Sequence, residues 1–330
     1  MKAILCHQFA PIDQLSYEDV PDPIPQDHDI IIEVAACGVN YPDGLLVQGL
    51  YQMKPEHPFS PGSEVTGTIS QLGAKVKHLK VGQRVIGLTM VGGYAEKVAI
   101  NSRMVLPLPD FISFEQGAGL ITAHATAHHA LKQRANLKKG ETLLVTGASG
   151  GTGLAAIQIG KAMGAKVIAL CSSEEKLAAA KEQGADELLL STDPELKNRI
   201  KAVTDNKGVD VAYEVVGGEV FKQVSRSMAW NGRLLVVGFA SGSIPEFPVN
   251  LALVKGFSVI GVFWGSFAQK EPANFMLNMQ ELLAWYKQGA IQVVIDEVLP
   301  LADASKALNK VFNRQSIGKL ILNPTQVQGG

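Results

Sequence analysis

Between Thr146 and Gly153 the chain reads TGASGGTG, directly after the apolar run TLLV and directly before LAAIQIGKAMGA. Ala148, Gly150 and Gly153 fall on the three positions of a G-x-G-x-x-G fingerprint, with Ser149, Gly151 and Thr152 filling the turn between them. Absent side chains let a backbone approach a pyrophosphate, whose charge is met by amide N–H groups and by the positive end of the following helix dipole. The chemistry expected of this stretch is therefore dinucleotide binding, and alanine at the first position is expected to relax the tightest part of the turn. A purely structural strand-to-helix turn is the alternative, and the alternating unit that follows argues against it.

The next apolar run, KVIALCSS, decides which dinucleotide. NAD enzymes place an acidic residue near the end of this strand to accept the ribose 2′-hydroxyl, and that charge would repel a 2′-phosphate. Here Cys171 takes the place, followed by Ser172, Ser173 and Lys176. Hydroxyls and an ammonium suit a phosphate, and one or two charge-assisted hydrogen bonds of roughly 1.5 to 3 kcal/mol would favour NADPH by about tenfold to a thousandfold. Alternatively, Lys176 is a solvated helix residue behind the capping pair Glu174 and Glu175.

Two other groups could bind metal. His124 and His128 have the i, i+4 spacing that can hold an ion on one helix face, with His129 beside them, yet no third donor is evident. Cys6, Cys37 and Cys171 are odd in number and lie far apart without a C-x-x-C pair, which argues against both a disulfide framework and a structural zinc. A reduced cytoplasmic setting fits them.

The elements that must position these residues follow from periodicity. Up to about Ala125 the text alternates in short strands punctuated by turns: DIIIEVAACGV, EVTGTISQLG, GQRVIGLT, GGYAEKVAI. From Glu141 apolar strands alternate with helix-length segments, and RLLVVGF and FSVIGVFWG bring the strand count to about six, as two mononucleotide-binding halves require. After Gly265 come a helix around Asn274 to Gly289, a strand in IQVVIDEVLPL, a helix from Asp303 to about Asn313 and a last strand GKLILN. These are expected to return to the first lobe, so the expected domains are 1–125, 126–265 and 266–330, with the final PTQVQGG loose.

A chain of 330 residues suits two domains. With a net charge of −1 and dispersed basic residues, no footprint for nucleic acid or an anionic membrane stands out. No apolar run reaches the roughly 20 residues of a membrane helix, and the start MKAILCHQFAP does not read as a signal peptide. A small ligand is the expected partner.

In order along the chain stand GVNYPDGLLVQGLY, PGSEVTG, GGYAEKV, TAHHAL, VTGASGGTGLAAIQIGKAMGAKVIA, VDVAYEVVGG, VGFASG and GKLIL. Together they resemble the zinc-free medium-chain dehydrogenases/reductases of the quinone oxidoreductase group. The resemblance implies an α/β protein: a doubly wound parallel Rossmann sheet plus a mostly β, barrel-like (GroES-like) catalytic domain, with the active site in the cleft between them. Zinc-dependent relatives would place metal ligands at Asn40, at Ser63 and near Thr122, which are poor zinc donors, so no metal is expected. Their four-cysteine insertion is also missing, and Cys37 reads as a packed thiol.

Without a Lewis acid the acceptor must be electrophilic by itself, as quinones and enones are. The resemblance places Asn40, Tyr41, Asp43 and Tyr51 nearest nicotinamide and substrate, with Tyr51 or solvent as proton donor. Packing is the alternative for both tyrosines, and Glu64 is expected to anchor the site by ion pairing. It further places Thr126, Gly238, Phe239, Ala240, Ser241, Phe263, Trp264, Gly265 and Arg314 beside the cofactor. Two tyrosines of close relatives are replaced, by Ser191 near the 2′-phosphate and by Leu45 in the active site. The function implied is NADPH-dependent reduction of quinones or α,β-unsaturated carbonyls by a homodimer using its edge strand FSVIGVFWG. An enoyl-thioester reductase and a low-turnover NADPH-binding sensor are the alternatives.

Overall fold

A computed structural model describes residues 1–326. The chain divides into two units, Met1–Thr122 with Val294–Gly330, and Ala123–Val293.

In the first unit β1 (Lys2–Leu5) pairs antiparallel with β2 (Ser16–Asp19). The organising strand is β3 (Asp29–Val39), an eleven-residue run rich in β-branched residues and buried along nearly its whole length. Its side chains are buried by packing on both faces: Ile30, Ile32 and Val39 enter the main apolar core of this unit, and Ala36 packs with Ala118 and Ile321. One edge takes β4 (Glu64–Leu72); the other takes β6 (Lys97–Asn101) along Asp29–Glu33. β5 (Arg84–Leu88) and β7 (Val105–Pro107) continue outward from β4. Helix α1 (Tyr41–Val47) begins where β3 ends, with Pro42 in its first turn where a missing N–H is harmless. Helix α2 (Phe114–Leu120) starts at a Ser113–Gln116 capping box.

The second unit opens with a helical run in which Ile121–Ala125 and His129–Arg134 are π-type and α3 (Thr126–His128) lies between. Next come β8 (Thr142–Thr146), α4 (Gly151–Ala162), β9 (Lys166–Cys171), α5 (Glu174–Glu182), β10 (Glu187–Leu190), α6 (Leu196–Val203), β11 (Val209–Glu214), α7 (Gly218–Ser225), β12 (Met228–Val236), α8 (Val249–Lys255) and β13 (Ser258–Gly261). All neighbours in this sheet run parallel, in the order β10-β9-β8-β11-β12-β13. This is the doubly wound order, and β8, β9 and β11 are almost wholly buried because helices cover both faces.

The expected domain boundary at Gly265 needs correction. Helices α9 (Trp264–Lys270) and α10 (Pro272–Lys287) belong to the second unit, and the chain leaves it only at Val293. The reason is packing: α10 buries Phe275, Met279 and Leu282, and its Asn278 and Glu281 bond to Gln133 and His128. The first unit is then completed by β14 (Ile295–Pro300), α11 (Ala304–Phe312) and β15 (Lys319–Asn323). β15 pairs with β3 through Leu320–Val39, Ile321–Gly38 and Leu322–Cys37, beyond the stretch that β6 covers.

Among the described residues no helix is long and apolar enough to cross a membrane. The expected loose end falls partly on 327–330, which lie outside the described residues.

Candidate active site and cofactor cradle

In the second unit the glycine turn leaves β8 and enters α4. Its left-handed residue is Gly147, at φ +56°, one position before the fingerprint. That corrects the expectation drawn from Ala148: the turn is not relaxed, because glycine still occupies its tightest position. Gly150, at φ −75°, is the N-cap of α4 and has open space at its Cα, since an added Cβ would find only Gly147 O, at 3.5 Å. Gly153 is the reverse case, where a Cβ would lie 2.8 Å from Ala148 Cα and closer still to Gly147 O. The room at Gly150 and the close packing at Gly153 are the two conditions a pyrophosphate cradle sets.

Thr152 contributes only its backbone to such a cradle. Its hydroxyl shares a 2.6 Å hydrogen bond with the Tyr213 hydroxyl and donates to Ala123 O at 3.2 Å, which ties the segment carrying Thr126 to the start of α4. Ser149 is buried behind the turn.

At the end of β9, Ser172 and Lys176 meet, with Nζ donating to the Ser172 hydroxyl at 3.4 Å in an exposed position. Ser173 is placed otherwise: its hydroxyl caps α5 by accepting from Lys176 N, as serine does before a first turn. The ammonium and one of the two hydroxyls expected to meet a 2′-phosphate are therefore side by side, and the second hydroxyl is taken up as a helix cap.

On the other side of β8, loops from β11 and β12 are held together. Ala240 N donates to Val215 O at 2.9 Å and Ser241 N to Val216 O at 2.8 Å, placing Gly238–Ser241 beside the turn after β11. A residue missed from the sequence controls that turn. Glu214, fully buried, accepts from Thr146 Oγ1 and from the N–H groups of Val216 and Gly217. Burial pushes its carboxyl above the usual range against these hydrogen bonds. Phe263, Trp264 and Gly265 follow β13, three strands and about 14 Å from β8 across the sheet.

The histidines do not converge. His124 Nε2 meets Gln158 and Gln292 O, His128 Nε2 meets Glu281 Oε2 at 2.6 Å, and His129 bonds to Gln133 and stacks on Phe267. Among the described residues no cluster of three His, Cys, Asp or Glu side chains could hold a metal.

The first unit carries a buried polar cluster at the junction of β3 and α1. Glu64 has no exposed surface; its Oε1 accepts from Lys319 Nζ at 2.6 Å and Asn40 Nδ2 at 2.9 Å, and its Oε2 accepts from Thr122 N at 2.8 Å. The expected ion pairing of Glu64 is thus present, with Lys319 as partner. Gly38 makes room for it, since a Cβ there would lie 2.8 Å from the carboxyl carbon. Lys319 Nζ also donates to Asn40 Oδ1 at 2.7 Å and Val39 O at 3.1 Å.

Two expected substrate-facing groups are corrected by these bonds. The Asn40 amide is buried with both ends engaged, its Nδ2 donating to Glu64 Oε1 and Gly38 O and its Oδ1 accepting from Lys319, so it is committed within this unit and does not face a substrate. Asp43 is buried as well, its Oδ2 accepting from Asn40 N at 2.9 Å and from the Tyr94 hydroxyl at 3.1 Å. Burial raises its carboxyl to about 7, ahead of these two hydrogen bonds and the charge of Lys319, which act the other way. Tyr41 stacks on Phe312 with centroids 4.6 Å apart and planes 7° apart, which makes it a packed wall. Arg314, at φ +57°, follows α11, and its charge acts on the Tyr41 phenol.

Tyr51 is partly buried against the apolar core of this unit. Burial first, and the Asp43 charge second, raise its phenol, so it stays a proton-bearing donor. Cys37 is fully buried and its thiol is pushed well up by burial, which fits a packed thiol. Lys319 and Tyr94 were not singled out from the sequence. Both stood inside quoted motifs, GKLIL and GGYAEKV, but nothing local marks a lysine opening a strand as buried.

The chain matches two family profiles, "Alcohol dehydrogenase GroES-like domain" over residues 26–110 and "Zinc-binding dehydrogenase" over residues 151–284. It is 36% identical over 325 residues to the quinone oxidoreductase of Rattus norvegicus, covering 98% of this chain and 97% of that one. A crystal structure of Pseudomonas syringae quinone oxidoreductase superposes with a TM-score of 0.92 at 31% identity, covering 98% of this chain and 99% of that chain. Escherichia coli quinone oxidoreductase complexed with NADPH superposes with a TM-score of 0.91 at 27% identity, covering 98% and 100%.

Proposed function

Since the chain belongs to the medium-chain dehydrogenase/reductase family, in its quinone oxidoreductase group, we propose that it reduces quinones or α,β-unsaturated carbonyls with NADPH. The observation that carries the reading is the cradle formed by Gly147, Gly150 and Gly153 together with the Ser172–Lys176 pair at the end of the next strand. When bound, NADPH supplies the hydride. Amide groups at the start of α4 would hold the pyrophosphate, and Lys176 with Ser172 would hold the 2′-phosphate.

Zinc, which one family description implies, does not fit the residues at hand. Asn40 is engaged by Lys319, Ser63 and Thr122 offer neutral hydroxyls, and Cys37 keeps its proton. A divalent ion would also lie beside a buried ammonium. With no Lewis acid to draw on, the acceptor must itself carry the negative charge that develops on its oxygen, as a conjugated carbonyl does. Tyr51 meets that charge by donating its phenol proton or a hydrogen bond, and burial first, with the Asp43 charge second, keeps the phenol from ionising. Asp43, Tyr94 and Asn40 hold the first turn of α1 from behind.

The three buried, unbridged cysteines fit a reducing compartment, in our reading the cytoplasm. A second copy of the chain is the expected partner. The edge strand β13 is largely exposed, and nearby α8 buries none of its residues while presenting Val249, Leu253 and Val254 to solvent.

Loss of NADPH absorbance, followed with a panel of 1,4-quinones, enones and enoyl-CoA esters, tests the reading. Turnover with quinones or enones is the expected result. Tight NADPH binding without oxidation by any acceptor would refute it in favour of a cofactor-binding protein.

A further inference from the structure

The mismatch with zinc has a positive counterpart. Lys319 Nζ is enclosed by three oxygens, Glu64 Oε1 at 2.6 Å, Asn40 Oδ1 at 2.7 Å and Val39 O at 3.1 Å, and its side chain is 5% exposed. Three ammonium protons thus meet three acceptors. The set contains only hard oxygen donors, which suits an ammonium or an alkali cation better than zinc. Strand register delivers it: Leu320 lies opposite Val39 in an antiparallel pair, so Lys319 falls opposite Asn40.

From this cage the connections run to both ends of the site. Asn40 opens α1, and its N–H holds Asp43; the second Glu64 oxygen holds Thr122 N. Asn40 and Thr122 are two of the positions where zinc-dependent relatives would carry ligands. Here one carboxylate and one ammonium join them.

We infer that Lys319 is a built-in cation that organises the Asn40–Glu64–Thr122 frame in place of a metal ion, and so acts as a positioning residue for acceptor reduction. It touches neither acceptor nor cofactor in this role. Without it, Glu64 is left as a buried charge with no counter-ion, and Asn40 Oδ1 loses its donor. A misplacement of about 1 Å at the start of α1 would lower turnover by roughly a hundredfold. The kinetic half of this inference rests on the proposed function; the cage itself does not.

The test is Lys319→Ala, titrated with methylammonium or ethylammonium, with tetramethylammonium at equal ionic strength as control. The variant should lose roughly a hundredfold in kcat while NADPH affinity holds, because the cradle lies in the other unit. Small primary ammonium ions should raise both kcat and Tm, and tetramethylammonium, which has no N–H to donate, should raise neither. Parent-like kcat and KM in Lys319→Ala, or indifference to every ammonium ion, would overturn the inference. If Lys319→Ala does not fold, the double variant Lys319→Met with Glu64→Gln removes both charges. It should bind NADPH with kcat still low, and parent-like turnover would show a purely structural pair. A parent protein that reduces no acceptor sinks the proposed function alone, and the ammonium-dependent Tm then still decides the cage.

Discussion

Gly150→Ala separates the two conditions on the glycine turn. At this position a Cβ has only Gly147 O near it, at 3.5 Å, an ordinary van der Waals contact, and φ −75° with ψ 167° is open to alanine. The folded protein should therefore lose less than about 1 kcal/mol, the difference between glycine and alanine at a helix N-cap. Cofactor binding should suffer far more. A methyl group standing where the pyrophosphate approaches the backbone removes at least one charge-assisted hydrogen bond, about 1.5 to 3 kcal/mol, or roughly ten- to 150-fold in Kd. Gly153→Ala is the contrasting variant, because its Cβ would lie 2.8 Å from Ala148 Cα and 2.9 Å from its carbonyl carbon, both backbone atoms with no rotamer to move. Overpacking of this kind costs about 1 to 3 kcal/mol, so stability should fall together with affinity. Calorimetric NADPH titration beside thermal unfolding reads both quantities on the parent and each variant. The reasoning is refuted if Gly150→Ala binds NADPH like the parent, or if its affinity falls only as far as its stability does.

Lys176→Ala should reduce the preference for NADPH over NADH by roughly tenfold to a hundredfold, read as the ratio of the two kcat/KM values, with NADH turnover itself little changed. Tyr51→Phe should lower kcat with quinones by about tenfold to a hundredfold and leave NADPH affinity intact; an unchanged kcat would assign the proton to solvent. The buried Asp43 carboxyl, at about 7 in the folded protein against 3.8 for the ordinary group, makes stability depend on pH. The folded state keeps a proton that the unfolded state has released, so this contribution is full below pH 3.8 and is lost as pH rises through about 7. Asp43→Asn should flatten that slope in denaturant titrations. His128 acts in the opposite direction: burial lowers it below 6.5 despite the Glu281 carboxylate, so stability should fall as pH drops below 6.5, and His128→Gln should blunt the fall.

The cofactor half of the protein was legible because its chemistry is local. A turn that must admit a pyrophosphate needs glycines within a few residues of one another, between a strand and a helix, and periodicity alone places both. Even there the sequence misassigned one detail, since the left-handed residue is Gly147 and not the first fingerprint position. Ser173 likewise reads as a phosphate ligand in a string of hydroxyls, whereas the backbone of α5 claims it as a cap. The boundary at Gly265 was misread for a different reason. A finished sheet gives no signal that two more helices still pack on it, and the side chains that hold α10 are distant from it in sequence.

What the sequence determined by itself, then, is what short-range covalent order can specify: strand and helix alternation and the glycine turn. What only the tertiary structure decided is the buried cluster, because its members come together by strand register. Lys319 reaches Asn40 across 279 residues of chain and Glu64 across 255. A lysine in a sequence reads as solvated, since an ammonium leaves water only where fixed oxygens replace its hydration, and those oxygens exist only once β15 has docked beside β3.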